Sequence, residues 1–171
     1  SGARIIPWDT KFLTPSEGNP EILFVGDSHA AQYVPRIKKL SEESGIQTGV
    51  ITCLGCFAVP KVKALKNNGK CELVVAEYER LMDNPHIKKI VFGGIWGRYL
   101  HQRGEYMIPD SNGGLHELAE GGFEMGIRNI KDLISRYPEK QFFVLLDYPW
   151  SKDSYTALAN LNRLTKDCLL Y

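Results

Sequence analysis

The chain has 171 residues, 43% hydrophobic and 24% charged, enough for one domain with its own core. A formal net charge of +1 gives no strong attraction for nucleic acid or anionic lipid. No stretch holds the ~18 apolar residues of a membrane span, and Ser1-Gly2-Ala3 reads as a trimmed start that leaves room for an export signal or membrane segment upstream.

Residues 1–20 read as an irregular lead-in, punctuated by Pro7, Pro15, Gly18 and Pro20, with Trp8 and Phe12 as anchors. Residues 21–171 form the expected domain. Ile22 to Val25 is an apolar, half β-branched run and predicts a buried strand over Glu21 to Val25. Gly26 permits a sharp turn out of it, and a helix starts near Ser28. Pro35 suits the first turn of a main helix running to Ser44, with Val34, Ile37 and Leu40 as its buried stripe and Gly45 as its cap. Gly49 to Cys53 is the second strand, and Leu54 to Pro60 leaves it as a loop. Lys61 to Lys70 is polar and expected to be exposed. Cys71 to Met82 predicts a helix, stopped by Asp83-Asn84-Pro85, and Lys89 to Gly93 the third strand. Gly94 to Gly114 reads as a long aromatic and polar loop, of the kind that carries function. Leu115 to Tyr137 is expected to be mostly helical, Gln141 to Leu146 to be the fourth strand, and Ser151 to Tyr171 to hold a final helix.

Strands alternating with helices imply parallel pairing and right-handed crossovers. The expected fold is therefore α/β, a three-layer α/β/α sandwich. In such sheets ligands bind at the carboxyl ends of the strands. Ser28 falls there, at a helix start whose N–H groups suit an oxyanion. It is placed as a nucleophile would be, though Asp27 and Ser28 are equally suited to capping the helix. Gly55, after the second strand, lets a backbone N–H approach a substrate oxygen, or serves only as a turn glycine.

The four cysteines leave three readings for Cys53-x-x-Cys56: thiol redox chemistry, zinc, or a structural disulfide. Pro60 argues against the helix that a redox motif needs. Zinc lacks a second close pair, so no metal is expected. A Cys56–Cys71 disulfide would close a loop of about 15 residues, worth roughly 3 kcal/mol.

Gly26-Asp27-Ser28-His29 after an apolar strand resembles the first motif block of SGNH (GDSL-type) hydrolases. With Ala30-Ala31-Gln32-Tyr33-Val34-Pro35 following, it is most similar to the SGNH domain fused to membrane acyltransferase-3 proteins, which O-acetylate bacterial surface polysaccharides. Leu54-Gly55-Cys56 falls at the second block, where a glycine supplies an oxyanion contact beside the Ser28 N–H. The third block departs from Gly-x-Asn-Asp. It reads Gly93-Gly94-Ile95-Trp96-Gly97-Arg98-Tyr99, a Trp-then-Tyr form that agrees with the acyltransferase-linked domains. The resemblance runs from about Glu21 to Pro149. It implies a flavodoxin-like sheet ordered 2-1-3-4-5, a disulfide such as Cys56–Cys71, no cofactor and a periplasmic location. It also implies a glycan acceptor, and an acyl donor relayed by a membrane acyltransferase-3 domain. Asp27, His29, Trp96, Arg98 and Tyr99 are then expected on the cleft, with Trp150 on its rim. Trp96 is either a sugar-stacking wall or a buried plug.

The resemblance also implies a general base from Asp-x-x-His near the C-terminus, and Ser151 to Tyr171 contains no histidine. Asp83-Asn84-Pro85-His86 lies before the third strand, at the wrong end of the sheet. His29 points away from its neighbour Ser28, His116 is a solvated residue at a helix start, and His101 is the best substitute. The expectation is that the last strand and helix of the fold are missing from these residues. Two functions remain open: transfer of an acyl group through Ser28, with simple carbohydrate esterase activity as a variant, or a non-catalytic module binding a saccharide or a partner.

Overall fold

The structure is a computed structural model that describes residues 19–66, 69–101 and 103–146. The lead-in before Asn19, the Trp150 rim position and the helix expected within Ser151 to Tyr171 lie outside the described residues.

In chain order the elements are β1 (Ile22–Gly26), α1 (Ser28–Ala31), α2 (Val34–Ser44), β2 (Thr48–Thr52) and β3 (Lys63–Ala64). Then come α3 (Lys70–Met82), β4 (Lys89–Gly93), α4 (Trp96–His101), β5 (Tyr106–Pro109) and β6 (Leu115–Glu117). A kinked turn over Leu118–Gly122 leads into α5 (Phe123–Arg136), and β7 (Gln141–Leu145) follows.

Four of the strands form one parallel sheet in the order β2-β1-β4-β7. They are the four apolar runs the sequence predicts. Their register is level: Gly26 lies opposite Thr52 and Gly93, and Gly93 opposite Leu145. The four strand exits therefore open onto one edge. Leu23, Val25, Ile51, Ile90 and Phe92 share a core with Val74, Tyr78 and Met82 of α3 and Leu133 of α5. The Tyr78 ring meets Phe92 edge-on, with centroids 5.7 Å apart. Helices α1 and α2 lie against β1 and β2. The result is the α/β sandwich of the SGNH and flavodoxin-like type.

Gly26 is required by close approach rather than by a left-handed turn. A Cβ there would lie 1.9 Å from the Gly93 carbonyl oxygen and 2.6 Å from Ala30 Cβ. Helix α1 can sit on the strand exits only because that side chain is absent.

Three expectations are corrected. The Lys61 to Lys70 and Gly94 to Gly114 stretches are not plain loops. They contribute β3, α4 and β5, and β3-β5-β6 form a small antiparallel sheet. Val62 and Ala64 are buried while Lys63 between them points outward, an alternation too short to show in sequence. The helix expected from Leu115 begins only at Phe123, because Glu120 and Gly121 take non-helical angles. In α2 only Ile37 is buried, and Leu40 is 45% exposed.

Candidate functional site

The strand exits bring together three turns, after β1, β2 and β4. Asp27 is the N-cap of α1 and is fully buried. Its Oδ1 accepts the backbone N–H groups of His29 at 2.7 Å and Ala30 at 3.3 Å. Its Oδ2 accepts the Ile95 N–H at 3.0 Å and the Tyr99 hydroxyl. One carboxylate thus ties the β1 turn to the segment after β4. A buried carboxylate persists when donors replace its water in this way.

With His29 and Ala30 engaged by Asp27, Ser28 is the exposed residue of the turn. Its backbone N–H enters none of the backbone bonds around the turn, and no described side chain bonds its hydroxyl. Next to it, the Cys53 N–H donates to the Gly26 oxygen at 3.0 Å, and a tight turn follows. That turn is closed by the Cys56 N–H on the Cys53 oxygen at 3.1 Å, with Gly55 at φ +66°. This left-handed angle favours glycine. The Gly55 N–H is likewise unused in the backbone network. Cys56 is joined by a disulfide to Cys71 in the first turn of α3. The Gly55 oxygen accepts the Tyr106 hydroxyl at 2.8 Å.

Three residues expected on the cleft are instead interior. Asp27 is spent on the bonds above. Trp96 is 7% exposed, and its Nε1 donates to the Leu145 oxygen at 2.8 Å, pinning the β4 exit to the β7 exit. Tyr99 is 1% exposed and sits against Phe57, with centroids 4.8 Å apart. Helix α4 turns its aromatic side inward, so the Trp96 plug is the arrangement found. Burial first, and then the Asp27 charge, push the Tyr99 hydroxyl far above the usual phenol range. Arg98 is exposed on the same helix, 3.9 Å from Glu105.

The histidines are spread apart. His29 is half-buried beside Ser28. His86 is exposed at the amino end of the sheet, in a groove with Glu21, Gln47 and Lys88. His116 lies on β6 rather than at a helix start, and its Nε2 is 2.8 Å from Asp110 Oδ2. That bond, with the Asn112 and Gly114 N–H groups, holds the Asp110 carboxyl below the usual range. His101 closes α4, and its side chain lies outside the described residues. No group of three or more His, Cys, Asp or Glu suited to a metal occurs among the described residues.

Residues 4–170 match the family described as "SGNH domain (fused to AT3 domains)". The chain belongs to this SGNH family. No curated protein matches it. The family's fusion to AT3 domains marks this SGNH domain as an acyltransferase-associated module of a membrane protein. No described helix is itself long and apolar enough to cross a membrane.

Sequence reasoning missed Tyr106 and the small sheet that carries it. The one signal available was an aromatic residue in a long segment between two parallel strands.

Proposed function

We propose that this SGNH domain transfers an acyl group, most simply acetyl, through Ser28 to a hydroxyl of a surface glycan on the periplasmic side of the membrane. One observation carries the reading: an exposed serine and two unspent backbone N–H groups, of Ser28 and Gly55, on adjacent turns at the level strand exits.

The Ser28 hydroxyl attacks the donor carbonyl and its proton passes to a base. The N–H groups of Ser28 and Gly55 receive the developing oxyanion. Losing one such donor costs about 10²–10³-fold in rate. The carbonyl's bond to the leaving group breaks, and an acyl-serine remains. A sugar hydroxyl then attacks it, yielding the ester and free Ser28. Water in place of the sugar makes the same chemistry a carbohydrate esterase. The donor comes from the AT3 partner. In this reading the base is His101 of α4, after β4, or a group supplied by the AT3-fused protein.

The second reading is a non-catalytic module that binds a saccharide or a partner. It draws on the absence, among the described residues, of a base at Ser28. It is weakened by the burial of Trp96 and Tyr99, which removes the two rings best suited to stack on a sugar.

The deciding experiment is intact-mass measurement after a serine-reactive fluorophosphonate, with p-nitrophenyl acetate hydrolysis alongside. The acyl-transfer reading expects one adduct, on Ser28, and loss of both adduct and turnover in Ser28→Ala. Neither labelling nor turnover, in this chain or in the protein fused to its AT3 domain, would leave the binding module.

A further inference from the structure

We propose that Tyr106 is a positioning residue for the reaction at Ser28: its hydroxyl holds the Gly55 turn in place against the Ser28 turn. The inference rests on the acyl-transfer reading and concerns how its two N–H donors stay aligned.

The Gly55 turn is tied to the β1 exit at its start, by the Cys53 N–H on the Gly26 oxygen, and its tip is what Tyr106 holds. Gly55 brings no side chain, and a Cβ built there would meet nothing within 4 Å. Leu54 beside it is 61% exposed. The disulfide anchors the turn at its far end, through Cys56, and its Cys71 sulfur lies 3.9 Å from the Gly55 oxygen, too far to replace a hydroxyl donor. Among the described residues, Tyr106 is the hydroxyl that donates to the turn, from 51 residues along the chain.

The base on which Tyr106 stands is the one that holds the other turn. Its ring meets Tyr99 edge-on, with centroids 5.0 Å apart and planes at 83°. Both rings contact Phe57, which itself follows the Gly55 turn. The Tyr99 hydroxyl reaches Asp27, whose other oxygen fixes the first turn of α1. Two neighbouring phenols therefore each hold one turn, and their ring contact sets the spacing between Ser28 and Gly55. Aromatic pairs of this geometry resist sliding because edge and face carry opposite partial charge. Burial, and then the Glu105 charge, push the Tyr106 hydroxyl up to about 12. It therefore remains a donor across the neutral range.

A displaced oxyanion donor acts on the transition state and leaves ground-state binding nearly untouched. Tyr106→Phe keeps the ring and removes only the tether. The expected result is a kcat about tenfold lower for p-nitrophenyl acetate, with KM unchanged. Amide exchange at Cys56, whose N–H closes the turn, should rise about fivefold, the loss of one ordinary hydrogen bond. Ile108→Val, a core change on the same strand, is the control for general loosening and should leave both readouts near wild type.

Unchanged exchange at Cys56 in Tyr106→Phe overturns the inference whether or not the protein turns over the ester. Faster exchange with an unchanged kcat also overturns it, provided Ser28→Ala is inactive. If Ser28→Ala matches wild type, the acyl-transfer reading has failed, and with it the role of Tyr106 in a reaction at Ser28. The exchange data then report the tether alone.

Discussion

The Tyr99 hydroxyl donates to Asp27 Oδ2 across 72 residues of sequence, and both side chains are shut off from solvent. The pair joins the segment after β4 to the turn that presents Ser28. Tyr99→Phe leaves that oxygen with the Ile95 N–H alone and should cost about 1–3 kcal/mol, read from urea denaturation. The pH dependence has a definite sign. Burial and the Asp27 charge favour the protonated phenol in the folded state. Its contribution is complete below the unfolded value near pH 10 and is lost as pH rises from there toward the folded value. The urea midpoint of the wild type should therefore fall more steeply above about pH 10 than that of Tyr99→Phe. Parallel slopes would disprove the link.

Gly26→Ala should be among the most damaging single changes in the domain. Its methyl would have to displace the Gly93 carbonyl and Ala30 together. Overpacking against backbone costs about 1–3 kcal/mol or more, so a clear drop in thermal midpoint is expected. A wild-type midpoint would show that the strands and α1 can part at no cost.

Cys56 and Cys71, with Cα atoms 5.1 Å apart, close a separation of 15 residues. A double Cys→Ser variant should lose about 3 kcal/mol in the chain-entropy account. Under denaturing, non-reducing conditions a thiol reagent should leave both residues unlabelled. Labelling there would exclude the bridge.

The Asp110–His116 pair makes an acid-sensitive clasp on the β5–β6 hairpin. The His116 bond is the main cause of the depressed Asp110 carboxyl, followed by the Asn112 and Gly114 N–H groups. A depressed carboxyl stabilises the fold above its unfolded value, near 3.9, and ceases to do so as pH falls through its folded value. Amide exchange at Asn112 and Gly114, corrected for intrinsic rate, should be protected at pH 5 and lose that protection in acid as the carboxyl takes up its proton. In His116→Ala the loss should begin at higher pH. No difference between the two proteins would show that the clasp is idle.

The parallel sheet was legible because each strand is an apolar run bounded by glycine or polar residues. Ile22 to Val25 and Lys89 to Gly93 need no tertiary information to be recognised. The small sheet was not legible, because β3 has two residues and β6 three, too few for alternation to register. At the candidate site, Ser28 and Gly55 stand on turns whose glycines mark them. The inward face of α4 was hidden for a physical reason. Its six residues span less than two turns, so Trp96 and Tyr99 carry no amphipathic period to say which side is buried. Tyr106 acts across 51 residues, and nothing local marks its target.

The bonds that brace the Ser28 turn come late in synthesis. Ile95 and Tyr99 reach back 68 and 72 residues to Asp27. Because a chain emerges from its N-terminus, the serine motif leaves the ribosome well before its supports. A nascent or truncated chain ending before Ile95 holds Gly26-Asp27-Ser28-His29 with two of the four donors to the Asp27 carboxylate. The buried carboxylate at the base of this turn is therefore fully satisfied only once the segment after β4 has docked on the β1 exit.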